Sequence, residues 1–247
     1  IPPLHTWLVD AYPRSTVTGA VFLNAFTTKT AVYVLIRLFA GWELLILLGT
    51  VMALYGVIYT VITNDIRGIL SYHIVSQVGY MVAAVGIGTP LALNGAAGHA
   101  LANILFKGLL FMAAGAVLTA TGKSRLTEMG GLFPHLPRVF GLYMVGALSI
   151  AGFPLFNGFI TKSMILTGAI GSHLPWIFLL LNLAAVGTFL SLALKLPFFA
   201  FFHRSKPRNI RLKALPAGMI PAMVLMALAC FLQGIFPGLL YPLLPHR

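Results

Sequence analysis

Along this chain apolar residues run for about 20 positions at a time without a periodic polar face, and short polar or helix-breaking clusters separate the runs. An α-helix needs a run of about that length to cross a hydrocarbon core of ~30 Å at 1.5 Å per residue. The pattern predicts about seven spans. They are Val17 to Ala40, Trp42 to Thr63, Ile69 to Gly88, Ala92 to Thr121, Val139 to Ile170, Leu174 to Phe202 and Leu215 to Leu240. Leu4 to Tyr12 reads as the tail of an earlier helix. Breakers mark the gaps: Pro13, Asn64 with Asp65, Thr89 with Pro90, Gly122, Pro134, Pro137, Gly171 with Pro175, and Pro207. The fifth run is itself interrupted at Gly152-Phe153-Pro154-Leu155-Phe156-Asn157-Gly158, which predicts a helix broken at mid-membrane near 152–158. The fold expected is therefore all-α, a polytopic transmembrane helix bundle forming a single transmembrane domain over residues 1–247.

Composition supports that reading and removes others. Of the 247 residues, 59% are hydrophobic and 8% charged, against roughly 45–50% and 25% in soluble domains, so a water-facing surface cannot be built. The net charge of +12 comes from having four acids against 16 lysines and arginines. Those bases sit between apolar runs instead of clustering on one face, which argues against a nucleic-acid partner. The single cysteine, Cys230, lies inside an apolar run and reads as a core residue, with no disulfide and no metal cluster. Neither a nucleotide loop nor a nucleophile with its base is present. The chain reads as a transporter, not a classical enzyme, with no cofactor and no metal.

The bases also set an orientation, because Lys and Arg near span ends stay in the cytoplasm. One side collects Arg14, Arg67, Lys123, Arg125, Arg138, Arg204, Lys206, Arg208, Arg211 and Lys213; the other has Arg37 and Arg247. The N-terminal end of this segment is expected to be cytoplasmic, in a bacterial inner membrane. Ile1 follows no signal-peptide pattern, and the sequence reads as a piece of a longer protein.

Ionisable side chains at span centres mark ion or substrate pathways. Lys29 lies about 18 Å into the first span, counted at 1.5 Å per residue, too deep to snorkel, with Thr27, Thr28 and Thr30 around it. His99, Asn103 and Lys107 recur at i, i+4 and i+8 on one face of the fourth span, a spacing that suits a proton relay or a helix-packing stripe. His73, Ser76, Gln77 and Tyr80 share a face of the third span, where His73 and Gln77 are possible pathway residues. Lys162 follows the break of the fifth span by about one turn. Lys195, beside Pro197, either snorkels or takes part. All four acids lie outside the span centres, so the mobile charge expected here is a proton.

At these residues the sequence resembles the antiporter-like membrane subunits shared by Mrp-type multisubunit cation/proton antiporters and respiratory complex I. Pro3-Leu4-His5-Thr6-Trp7-Leu8-Val9-Asp10-Ala11 is similar to the end of that family's broken seventh helix, and Thr28-Lys29-Thr30-Ala31-Val32-Tyr33 to its lysine-bearing eighth. Asn64-Asp65-Ile66-Arg67 and Ser76-Gln77-Val78-Gly79-Tyr80 resemble the ninth-to-tenth helix region. Phe106-Lys107-Gly108-Leu109-Leu110-Phe111-Met112 resembles the eleventh, and Phe153-Pro154-Leu155-Phe156-Asn157-Gly158-Phe159 with Lys162 the broken twelfth. Ala11-Tyr12-Pro13, Thr16-Val17-Thr18-Gly19 and Lys195-Leu196-Pro197-Phe198-Phe199 look most like the D-type branch of the Mrp antiporter subunits. The sequence departs at Val9, where the family has proline, at Arg14, where D-type relatives have glutamate, and at Asn103, where a histidine is common.

The resemblance implies the second half of a subunit of roughly fourteen helices, built from inverted repeats. A Lys/His/water chain would run through Lys29, His99, Asn103, Lys107 and Lys162, and the family's upstream glutamate and lysine would precede Ile1. The expected function is proton conduction in a multisubunit Na⁺/H⁺ antiporter, with other membrane subunits as partners. The alternatives are a proton-pumping subunit of NADH-quinone oxidoreductase or of a membrane-bound hydrogenase, or an inactive truncated remnant with a structural role.

Overall fold

A computed structural model describes residues 5–203 and 212–246. Pro3 and Leu4 of the first motif, Arg204, Lys206, Pro207, Arg208 and Arg211 of the basic loop, and Arg247 lie outside the described residues. The described residues form helices and no strand. They are α1 (Thr6–Arg14), α2 (Val17–Leu38), α3 (Leu44–Ile62), α4 (Ile66–Ile87), α5 (Pro90–Thr121), α6 (Pro137–Ala151), α7 (Asn157–Gly171), α8 (Pro175–Phe189) and α9 (Met219–Ile235). Beyond Phe189, α8 continues to Phe202 through wide π-helical turns at Leu190–Lys195 and Phe198–Phe202.

The starts follow from local chemistry. Thr16, Asp65 and Thr89 each accept a hydrogen bond from the backbone N–H three residues on, satisfying a donor the first helical turn leaves free. Five helices are individually long and apolar enough to cross a membrane: α2, α3, α4, α5 and α8 carried through Phe202. The predicted fifth span is two 15-residue helices, α6 and α7, flanking the break. The last span is shorter than predicted. It starts at Met219 instead of Leu215, because Pro216 and Gly218 oppose helix, and ends at Ile235, where Pro237 follows and the chain bends by 105° into Pro237–Leu243. Length and composition thus define a multi-pass helical membrane protein.

At the centre lie α4 and α5, buried along nearly their whole length. Outside them α2, α3, α8 and α9 leave Phe22, Phe26, Leu47, Ile62, Leu179 and Leu225 exposed, as a lipid-facing surface requires. Small residues set the closest approach. Gly49, Gly56, Gly79 and Gly86 line the α3–α4 seam, and a Cβ on Gly56 would lie 2.7 Å from the Tyr72 carbonyl oxygen.

Loop contacts bring several of the bases together. Ile66 N–H donates to Ser124 O, Leu126 N–H to Asn64 O and Lys213 N–H to Ala120 O, each at 2.9 Å, gathering Arg14, Arg67, Lys123, Arg125, Arg138 and Lys213 at one end. At the other end Gly41 N–H donates to Val85 O at 2.9 Å, and Asn94 pairs with the His246 backbone. Arg67 is more than a loop cation. Buried, it donates to Pro13 O at 2.9 Å and to Ser15 Oγ and Thr16 O at 3.2 Å, fixing the α1–α2 corner against α4.

Candidate functional site

Three lysines are buried inside the bundle: Lys29 is 7% exposed, Lys107 0% and Lys162 4%. Each amine rests on backbone carbonyls. Lys29 Nζ donates to Asn24 O at 2.7 Å and to Asn24 Oδ1 at 3.1 Å. Lys107 Nζ donates to Leu70 O on α4 at 2.8 Å. Lys162 Nζ donates to Ile150 O at 2.6 Å and lies 5.1 Å from the centroid of the Tyr80 ring. Ile150 belongs to the last turn of α6, where carbonyls lack intrahelical donors and the helix dipole is negative, so an ammonium is stabilised there. Among the described residues no carboxylate pairs with these amines, and the one ion pair, Lys123 with Glu128 at 3.4 Å, is at the basic end.

The break that positions Lys162 is built from residues that must lack a side chain or accept strain. Gly152 (φ 84°) and Leu155 (φ 75°) both adopt left-handed backbone. At Gly158 a Cβ would overlap the Ser149 carbonyl oxygen. Ser149 Oγ donates to Asn157 Oδ1, and Asn157 Nδ2 donates to Gln233 Oε1 on α9 at 3.0 Å, tying both halves of the broken span to α9.

His99, Asn103 and Lys107 do share one face of α5, but their bonds run sideways, not along it. His99 Nδ1 meets Thr161 Oγ1 on α7 at 2.8 Å, and its Nε2 meets Gln77 Oε1 on α4 at 3.0 Å. Because antiparallel α4 and α5 pair at Lys107–Leu70 and His99–Gln77, Asn103 falls opposite the His73–Ser76 stretch. Neither side-chain heteroatom of the buried Asn103 has a protein partner, and on α4 His73 Nδ1, Ser76 Oγ and Gln77 Nε2 also lack one. His73 is fully buried, with Nε2 2.8 Å from Ser191 Oγ in the first π-helical stretch.

Lys195 stands apart from this cluster. Its amine donates to the carbonyls of Thr60 (3.1 Å), Val61 and Thr63 (3.0 Å), capping the C-terminal end of α3. The sequence reading passed over Asn24, Ser149, Thr161, Ser191 and Gln233. A lone amide or hydroxyl within an apolar run was the available signal, clearest for Gln233, the one amide in α9. Among the described residues no group of His, Cys, Asp and Glu could hold a metal ion.

The class defined by this architecture is a multi-pass helical membrane protein with a cationic, polar interior centred on a broken helix. The chain belongs to the family described as "NADH:quinone oxidoreductase/Mrp antiporter, TM", which it matches over residues 1–191. It is 32% identical over 236 residues to the D subunit of the Na(+)/H(+) antiporter of Alkalihalophilus pseudofirmus, covering 90% of this chain and 48% of that protein. It is 34% identical over 246 residues to the L subunit of the NADH-quinone oxidoreductase of Campylobacter jejuni, covering 95% of this chain and 40% of the relative. Among solved structures, a chain of the Mrp complex from Dietzia sp. superposes with a TM-score of 0.91 at 22% identity, covering 97% of this chain and 54% of that one, a likeness of fold. A chain of the archaeal membrane-bound sulfane sulfur reductase gives 0.86 at 27% identity, covering 94% and 42%. The chain spans about half or less of the length of the curated relatives it matches.

Proposed function

We propose that this chain forms the second half of a proton-conducting membrane subunit of a multisubunit monovalent cation/proton antiporter, with sodium as the exchanged ion. Protons move through Lys29, His99, Asn103, Lys107 and Lys162. The observation that carries the reading is the set of three buried lysines with no carboxylate counter-ion among the described residues. An uncompensated ammonium inside a bilayer is retained for function, and an amine that releases its proton sheds the cost of burial. His73 and Gln77, on the α4 stretch opposite Asn103, belong to the same route; Lys195 serves as an anchor for α3. Other membrane subunits surround the chain, which lies in a bacterial inner membrane with its basic end in the cytoplasm.

A second reading is favoured by the 34% identity to the L subunit of an NADH-quinone oxidoreductase: the same route driven by a redox partner. A sodium requirement for proton movement separates the two.

The test is transport by the full-length protein in its assembly carrying Lys162→Ala or Lys162→Arg. Alanine is expected to abolish proton movement with the complex still assembled. Arginine is expected to do the same, because a guanidinium keeps its proton. Near-parental transport in the arginine variant would mean that Lys162 acts as a fixed charge and carries no proton.

A further inference from the structure

His99 sits between a hydroxyl and an amide oxygen, and the hydrogens these groups carry decide which ring nitrogen can exchange a proton. Gln77 Oε1 can only accept, so the 3.0 Å contact requires a proton on His99 Nε2. The other ring nitrogen, Nδ1, is left either bare or protonated. Thr161 Oγ1 has one hydrogen and three acceptors in reach: His99 Nδ1 at 2.8 Å and, within its own helix, the Asn157 and Gly158 carbonyl oxygens at 3.2 and 3.4 Å. When Nδ1 is bare, the hydroxyl donates to it. When Nδ1 is protonated, the imidazolium donates to Oγ1 and the hydroxyl turns to the Asn157 carbonyl. Both states satisfy the two ring nitrogens and the hydroxyl with no heavy atom moved. Thr161 and His99 are fully buried, so bulk water does not stand in for either partner.

We propose that Thr161 is a hydroxyl switch that lets His99 gain and lose a proton at Nδ1 inside a rigid core. The proposal rests on the proton-route reading above and adds a residue to it. The step balances as a relay. The Lys162 ammonium gives a proton to a bridging water, the water gives one to Thr161 Oγ1, and the hydroxyl's original proton passes to His99 Nδ1. Lys162 is left neutral, His99 cationic and Thr161 a hydroxyl again, now turned to the Asn157 carbonyl; the return step reverses each transfer. The local architecture suits this. Thr161 and Lys162 are consecutive in α7, and Tyr80 lies between Lys162 and His99, its ring 6.2 Å from His99 centroid to centroid and 5.1 Å from Lys162 Nζ. The switch is anchored at the break, since its second acceptor is the carbonyl of the residue that starts α7 and is held by Ser149 and Gln233.

The experiment compares Thr161→Val, Thr161→Ala, Thr161→Ser and Lys162→Ala in the full-length assembled complex. Proton transport is measured across a range of pH and normalised to assembled protein. Serine keeps the hydroxyl and is expected to retain transport within about twofold, with the parental pH profile. Valine and alanine lack it and are expected to lose at least about tenfold, with a displaced profile in whatever activity remains. A merely structural threonine would be rescued by valine, which keeps its shape, and would leave the profile in place. Parental transport in valine or alanine, or equal loss in serine and valine, overturns the switch. Lys162→Ala separates the two claims: if it transports normally the route itself is wrong, and if it is inactive while valine is active only the switch is wrong.

Discussion

Replacing Asn103 by leucine probes the α4–α5 contact with opposite outcomes for its two explanations. Both Asn103 heteroatoms are buried without a protein partner. If the contact is dry, each costs about 1–3 kcal/mol, so about 2–6 kcal/mol together, a large part of the ~5–15 kcal/mol a domain has in total. Leucine, with the same branching and number of side-chain heavy atoms, would relieve that cost; the variant would be more heat-stable and its transport unchanged. If water bridges Asn103 to His73, Ser76 and Gln77, three more buried groups with free atoms, the cost is already met. Leucine would then gain nothing in stability and would cut the route. His99 and Lys107 are eight residues apart, roughly 12 Å along α5, too far for one side chain to cover. Proton transport is expected to fall at least about tenfold, equivalent to ~1.4 kcal/mol on the barrier. Asn103→His, which restores a titrating group, is expected to keep or raise the rate. The assay is pH-gradient formation in membrane vesicles containing the assembled complex, paired with its thermal denaturation. Parental transport in the leucine variant would remove this face from the route and leave it a packing stripe.

Gly158→Ala is expected to destabilise the assembly by more than about 3 kcal/mol, since the added Cβ would overlap the Ser149 carbonyl, whereas Gly141→Ala, with open space around it, should be neutral. Thermal denaturation of the two purified variants compares them. For orientation, single cysteines in a Cys230→Ala background are read with an impermeant thiol reagent added outside intact cells. Ser124→Cys, at the basic end, should stay unlabelled, and His173→Cys, exposed at the other end, should react; the reverse pattern would invert the topology.

How much of this was legible depended on the range of the interaction. The runs of apolar residues located the spans, and Gly152 to Gly158 located the break, because both are written in consecutive positions. The stripe of His99, Asn103 and Lys107 was legible as a helical period. Its direction of bonding was not, because Gln77 and Thr161 reach His99 from helices 22 and 62 residues away. Lys195 read as a lysine that either snorkels or takes part, and its bonding partners are the carbonyls where α3 ends, 132 to 135 residues earlier in the chain. The π-helical turns of α8 had no signal in the apolar pattern, since π and α turns bury the same residue types. The start of α9 falls four residues beyond the start of its apolar run, because hydropathy continues through Pro216 and Gly218 while helical geometry does not.

The glycine seam between α3 and α4 has a mechanical meaning. With Gly49, Gly56, Gly79 and Gly86 removing the side chains that would separate them, the two helices lie backbone to backbone and behave as one pier that cannot slide without collision. His73, Gln77 and Tyr80 are mounted on that pier. Any adjustment of the polar core during turnover must therefore come from the opposing mounts: Ser191 on the loosely wound end of α8, and Thr161 and Lys162 on the half-helix beyond the break. Amide hydrogen exchange should find α4 the slowest segment and residues 152–158 and 190–202 among the fastest membrane-embedded ones. Fast exchange along α4 would mean the pier yields.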